Sequence, residues 1–318
     1  MSDLPKSVII HEVGPREGFQ DAENALVKTE DKVRLIDALS ETGLKWIEVT
    51  SFVSPKWVPH MADAEQVVAA FNRKPGIHYC GLYLNLQGLE RAVATGKLDV
   101  FGTIRVTVSD ATSRRNTNRS LEQTLSELPQ WVDLYQQHEI PVRDAAFLTA
   151  FGCLLQGDIP LDLTVGVIQN VMEFGKRYGL TYERIRLTDS FGWANPEQIK
   201  RTIGAVLEHW PEQRICLHMH DTRAMGIANC YAALEMGVNE FDTSVGGLGG
   251  DPFAPRKGAS GNVCTEDLVL VCQEMGIDTG IDLDKIIECG LLAEEIVGRP
   301  LTGKVMKGGP LPHAGSIS

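Results

Sequence analysis

The sequence predicts an α/β chain folded as a closed (β/α)8 TIM barrel with a short C-terminal helical extension. Two observations carry that expectation. Eight strand-like runs alternate with helical patterns from Ser7 to Met275, and regular βα alternation at this length is what a closed parallel barrel requires. Polar residues able to do chemistry also collect at the carboxyl end of run after run, where such barrels keep their sites. An open doubly wound sheet is the alternative, but no Gly-x-Gly-x-x-Gly follows the first run. The chain reads as one domain of 318 residues, with the barrel over about 7–276 and a helix and tail over about 281–318.

In order, the first run is Ser7–Val13, followed by a Gly14-Pro15 turn. A helix from about Thr29 to Thr42 places Val33, Leu35, Ile36 and Leu39 on one face, and Gly43 stops it. The second and third runs, Lys45–Ser51 and His78–Leu84, are separated by a helix near 63–72. A short helix near 86–95 leads to the fourth run, Val100–Val108. Ser120 is suited to cap a helix that reaches His138. The remaining runs are Pro141–Thr149, Ile185–Thr188, Ile215–His220 and Phe241–Val245. Helices near 162–178, 196–209, 224–236 and 265–275 separate or follow them, with Pro160 and Pro196 where first turns tolerate proline. The tail from Gly303 reads as poorly ordered or lying over the barrel.

Composition narrows the function. Hydrophobic content of 43% and charged content of 23% are those of a soluble globular protein, and no apolar run approaches a membrane span. With neither an apolar leader nor a terminal address, a cytoplasmic location is the expectation. A net charge of −12 argues against sequence-independent binding of nucleic acid or anionic membrane. Seven cysteines without a Cys-x-x-Cys pair argue against a disulfide framework and a zinc knuckle.

The chemistry centres on Leu217-His218-Met219-His220-Asp221-Thr222. Side chains alternate along a strand, so His218 and His220 share one side. Two interior histidines bonded to neighbours is the plain reading. Carboxylates on neighbouring strand ends favour metal ligation instead. His218, His220, Glu17 and the amide oxygen of Asn262 would leave positions open on an octahedral ion, which suits Mg²⁺ or Mn²⁺, with Co²⁺ or Zn²⁺ as alternatives. Arg16 either pairs with Glu17 on a loop or faces a substrate oxygen that becomes anionic. Glu48, inside an apolar strand, must be paired, with Arg16 or within the site. The glycine run 246–250 reads as a ligand-closing or a flexible surface loop. Arg114, Arg115, Arg119, Arg256 and Lys257 form basic islands whose ordinary meaning is a solvated face.

Four segments stand in order: Val13-Gly14-Pro15-Arg16-Glu17-Gly18-Phe19-Gln20, the stretch from Ile47 to Pro59, His218-Met219-His220-Asp221-Thr222, and Gly258-Ala259-Ser260-Gly261-Asn262. Together they resemble the hydroxymethylglutaryl-CoA lyase family, a branch of metal-dependent barrel lyases and Claisen-type synthases. The resemblance implies that Glu17, His218, His220 and Asn262 ligate a divalent ion. It implies that Arg16 stabilises an enolate oxygen, that Glu48 and Glu266 support catalysis, and that Gln20, Ser51 and Lys56 lie near an acyl-CoA substrate. It further implies cleavage of a 3-hydroxyacyl-CoA, with 3-hydroxy-3-methylglutaryl-CoA as the leading substrate, in a homo-oligomer (dimer or tetramer). The chain departs from the pattern in several places: Thr188-Asp189-Ser190 stands where the family has Gly-Asp-Thr, and Pro255-Arg256-Lys257 lengthens the loop before Gly258. Glu17 stands where the family usually has Asp, Asp251 replaces the loop cysteine credited with proton transfer, and Arg223-Ala224-Met225 follows the histidines. Asp251 is then the candidate proton carrier, and Arg223 a candidate for binding an extra carboxylate or pairing with Asp221 or Asp251. The alternatives are a lyase for a related ester such as citramalyl-CoA, a Claisen condensing synthase, and a barrel that binds metal or acyl-CoA without turnover.

Overall fold

The computed structural model describes residues 4–20, 26–249 and 261–310. Eight parallel strands form one curled sheet: β1 Ile9–Glu12, β2 Trp46–Ser51, β3 His78–Leu82, β4 Gly102–Thr107, β5 Val142–Leu148, β6 Arg184–Asp189, β7 Arg214–Met219 and β8 Glu240–Thr243. Their order is β3-β2-β1-β8-β7-β6-β5-β4, so the last strand pairs with the first, Ile9 opposite Glu240 and Glu12 opposite Thr243. All eight expected strands are present. The seam between β3 and β4 is closed differently from the rest. Asp99 donates its NH to the Tyr79 carbonyl at 2.7 Å, its carboxylate accepts the Tyr79 NH at 2.9 Å, and the Tyr83 hydroxyl donates to the Phe101 carbonyl at 2.6 Å.

Twelve helices are described: α1 Gly14–Gln20, α2 Thr29–Leu39, α3 Ala64–Ala70, α4 Leu86–Ala94, α5 Asp110–Thr117, α6 Leu121–Gln137, α7 Leu161–Arg177, α8 Pro196–His209, α9 Gly226–Glu235, α10 Thr265–Glu274, α11 Leu283–Val297 and α12 Val305–Gly308. Sequence periodicity finds most of them. Leu35, Ile36 and Leu39 are buried on α2 as expected, and Ser120 closes a capping box with Gln123 on α6. Gly43 ends the α2 turn at a φ of +99°, and a Cβ there would meet the Gly280 carbonyl at 2.2 Å, so no larger residue fits.

Three features differ from the sequence expectation. Residues 14–20 are helical rather than a turn. α5 was not foreseen, because Asp-Ala-Thr-Ser-Arg-Arg-Asn-Thr has no apolar period; the Ser109 side chain caps it. Gly152-Cys153 and Gly157-Asp158 form a small antiparallel hairpin after β5. The described tail follows the second of its two expected readings and lies on α10, where the Asp267 carboxylate accepts the backbone NH groups of Lys304 and Val305 at 3.0 and 2.8 Å.

The barrel interior departs from the usual filling of branched apolar side chains. Arg184 donates to Asp144 at 2.6 Å and to Glu240 at 2.8 Å. Arg186 donates to Asp144 at 3.1 Å and also to Asp242, while Arg214 reaches Glu240. His11 stacks on Trp46 at 4.9 Å, within 3.4 Å of Asp242 and 3.6 Å of Glu240. Each charge is matched, and removing one partner of such a buried pair costs about 3–5 kcal/mol. This lattice is the floor on which the site stands.

Candidate active site and metal centre

Strand alternation turns His218 and His220 to the same side of β7, with their Nε2 atoms 3.4 Å apart. Glu17 reaches them because α1 begins directly after β1. The Val13 carbonyl accepts the Arg16 and Glu17 NH groups at 3.1 and 2.8 Å, and this turn swings the side chain back over the barrel mouth. Glu17 Oε1 then lies 3.2 Å from His220 Nε2 and 3.5 Å from His218 Nε2. Asn262 is delivered by backbone pairing alongside His220, where Asp221 donates its NH to the Gly261 carbonyl at 2.7 Å and Val263 donates to Met219 at 3.1 Å. The four sequence-expected ligands therefore come from β1–α1, β7 and the segment before α10.

These residues fit a divalent ion. Ligand atoms about 2.1–2.2 Å from one centre at right angles stand about 3 Å apart, close to the spacings of the Glu17, His218 and His220 donors. The Asn262 amide oxygen is buried with no hydrogen-bond partner, an orphaned acceptor of the kind a cation satisfies. Asp242 Oδ2 lies 3.1 Å from His218 Nδ1, which leaves Nε2 as the nitrogen that would face an ion. Burial by itself would lower the His218 pKa, but the Glu17 and Asp242 charges outweigh it and push it up to about 9. Burial would likewise raise Glu17, yet the Arg16 and His218 charges hold it well below the ordinary carboxylate range. So much negative field around two imidazoles is the setting in which a divalent ion replaces protons.

Beside this cluster, Arg16 donates from Nε to Glu48 at 2.5 Å and from Nη1 to Glu17 at 2.9 Å. Both pairings foreseen for Arg16 thus occur at once. Burial opposes its charge, but the two carboxylates outweigh it and raise its pKa, keeping the cation fixed. Arg16, Glu17, Gln20, Glu48, His218 and His220 all line one cavity of about 500 Å³.

A family model described as HMGL-like matches residues 7–292. The chain belongs to the HMGL-like family. It is a carbon–carbon lyase of that family. A hydroxymethylglutaryl-CoA lyase of Bacillus subtilis is 39% identical over 300 residues, covering 94% of this chain and 96% of that protein. A cytoplasmic 3-hydroxy-3-methylglutaryl-CoA lyase of Rattus norvegicus is 41% identical, covering 96% of this chain and 85% of the relative. A solved HMG-CoA lyase of Acinetobacter baumannii, in complex with coenzyme A and 3-methylmalate, superposes with a TM-score of 0.84 at 36% identity over 98% of this chain and 100% of that one.

Other expected residues of this HMGL-like lyase fall at graded distances from the cavity. The Ser51 hydroxyl is buried and unpartnered at the end of β2, outside the lining. Lys56 is on an exposed loop, 5.5 Å over the Trp57 ring. Arg223 is turned away from both Asp221 and the cavity: it donates to the Gly192 and Trp193 carbonyls at 2.8 and 2.6 Å. Asp221 instead accepts the Gly226 NH at 2.7 Å and begins α9. Glu266 is buried away from the cavity, accepting the Gly246 NH at 3.0 Å, and Glu12 accepts the Val245 NH at 3.0 Å. The two carboxyls anchor the start of the glycine loop. Asp251, with Arg256 and Lys257, lies outside the described residues. Asp242, Arg186 and Arg105 were not singled out from sequence. The signal was present, because each is a charge inside a strand-like run, the property that marked Glu48.

Proposed function

We propose that this lyase cleaves 3-hydroxy-3-methylglutaryl-CoA to acetoacetate and acetyl-CoA, using Mg²⁺ or Mn²⁺ held by Glu17, His218, His220 and Asn262. The observation that carries the reading is the convergence of Glu17, His218, His220 and the doubly paired Arg16 on one cavity, with Asn262 and its unpartnered amide oxygen brought alongside His220 by backbone pairing. The bound ion supplies Lewis acidity that draws substrate oxygens and lowers the hydroxyl pKa. The hydroxyl proton leaves to a base, and the bond between the hydroxyl-bearing carbon and the thioester α-carbon breaks. The hydroxyl oxygen becomes the ketone oxygen of acetoacetate. The electron pair passes into a thioester enolate, whose oxygen Arg16 holds, and protonation at the α-carbon gives acetyl-CoA. Glu48 keeps the guanidinium aimed, and Asp242 keeps His218 in its coordinating tautomer. We assign the final proton transfer to Asp251.

We further place the protein in the cytoplasm as a homo-oligomer. No described helix is long and apolar enough to cross a membrane. A second reading, a lyase for a shorter hydroxy-dicarboxylic ester such as citramalyl-CoA, draws on the 3-methylmalate bound by the solved relative. A panel of hydroxyacyl thioesters assayed for acetyl-CoA release separates the two. Release from no ester, or full activity after exhaustive chelation, would sink the proposal.

A further inference from the structure

Three guanidiniums line the cavity, those of Arg16, Arg105 and Arg186. Two are matched by carboxylates. Arg16 lies against Glu17 and Glu48, and Arg186 against Asp144 and Asp242. Arg105 has no carboxylate partner among the described residues. Its Nη1 donates to the Tyr83 carbonyl at 3.5 Å, the outer limit of such a bond. A half-buried cation with one long neutral contact calls for an anion from outside the chain.

The backbone fixes where that cation points. Burial alternates along β4, so Arg105 turns inward with Thr103 and Thr107 while Ile104 and Val106 pack behind. The register sets Arg105 opposite Ala146 on β5, and Ala146 opposite Arg186 on β6. The small alanine side chain leaves the space between the two guanidiniums open. In the strand order β4 is three places from β7, which carries His218, and four from β8, which carries Asp242. In a closed ring of eight, that is the far wall of the cavity from the metal ligands.

We infer that Arg105 is the specificity-determining residue of this lyase and binds a carboxylate on the acyl arm of the substrate. The inference rests on the lyase reading above and assigns the residue that recognises the carboxylate which both of its candidate esters carry. Arg105 faces an arm held at its other end by the metal ligands and Arg16. A guanidinium offers two parallel donors matched to a carboxylate. A neutral alkyl arm leaves that charge unsatisfied, and a site built to pair a polar group discriminates strongly against a ligand that lacks it.

The test compares 3-hydroxy-3-methylglutaryl-CoA with 3-hydroxy-3-methylbutyryl-CoA, whose arm ends in a methyl group, on wild type, Arg105→Met and Arg105→Lys loaded with Mg²⁺. Arg105→Met should lower kcat/KM for the anionic ester by about 10–100-fold and leave the neutral ester within about threefold. Arg105→Lys should recover part of the loss. A parallel fall for both esters, or no change for the anionic one, overturns the inference. Calorimetric titration of free 3-hydroxy-3-methylglutarate into the same three proteins gives a readout independent of turnover. Weaker binding to Arg105→Met than to wild type upholds the role of Arg105 even if neither ester is cleaved, an outcome that would remove only the lyase reading. Equal binding to wild type and Arg105→Met removes the role itself.

Discussion

The Asp242 carboxylate stands 3.1 Å from His218 Nδ1 and also pairs with Arg186. One oxygen orients the proposed metal ligand His218 while the other belongs to the charge lattice below it. Asp242→Asn should therefore weaken divalent-metal affinity by about 10–100-fold without removing a ligand. Metal-dependence curves of activity check this, and an unchanged metal affinity would show that His218 is oriented without Asp242.

Loss of a ligand should be more severe. His220→Ala should abolish metal retention, read by elemental analysis after desalting, and activity with it. Wild-type turnover that survives chelation would contradict this.

Arg16→Lys should act on the chemical step more than on binding. A lysine keeps the charge but cannot serve Glu48, Glu17 and a substrate oxygen from one planar group. A kcat loss of about 10²–10³-fold with a small KM change is expected, and steady-state kinetics separate the two.

Glu266 gives a pH signature in stability. Burial pushes its carboxyl up to about 8 from an ordinary 4.5, against the Gly246 NH that favours the ionised form. The folded state thus holds a proton that the unfolded chain releases near 4.5. Its stabilising contribution is complete below that pH and is lost as pH rises through about 8, with a limiting slope of about 1.4 kcal/mol per pH unit. Glu12, pushed by burial to about 7, adds a similar loss. Denaturant titrations of Glu266→Gln should show a shallower decline from pH 5 to 8 than wild type.

Gly261→Ala tests the delivery of Asn262. A Cβ there would sit 2.3 Å from the Gly249 carbonyl oxygen, so the segment must shift and carry Asn262 with it. Metal affinity and activity should fall together. Gly204→Ala on α8, whose nearest neighbour would be Met236 at 3.7 Å, should instead leave activity intact and raise stability by about 0.5–1 kcal/mol.

Much of this arrangement was legible in the sequence for physical reasons. Strands such as Gly102–Thr107 and helices such as Pro196–His209 bury one face, so their periodicity is written in the residue types. His218 and His220 share a side because strand parity demands it. What escaped the sequence depends on neighbours distant along the chain. Residues 14–20 are helical although they include two glycines and a proline, and α5 rests on its Ser109 cap rather than on an apolar stripe. Arg223 has the chemistry of a substrate anchor, yet the Gly192 and Trp193 carbonyls claim it, a contact set by the β6 loop. Arg105 reads as an ordinary strand charge until the ring order places it across from His218.

The charged floor of the barrel has an evolutionary consequence. Asp144, Arg184, Arg186, Glu240 and Asp242 are contributed by three strands of the sheet, and each one answers to at least one of the others. A single replacement strands a partner in a medium that cannot solvate it, whereas apolar cores accept volume-conserving exchanges one at a time. Descendants of this sequence should change these positions in matched sets or not at all, while the outer helix faces drift freely.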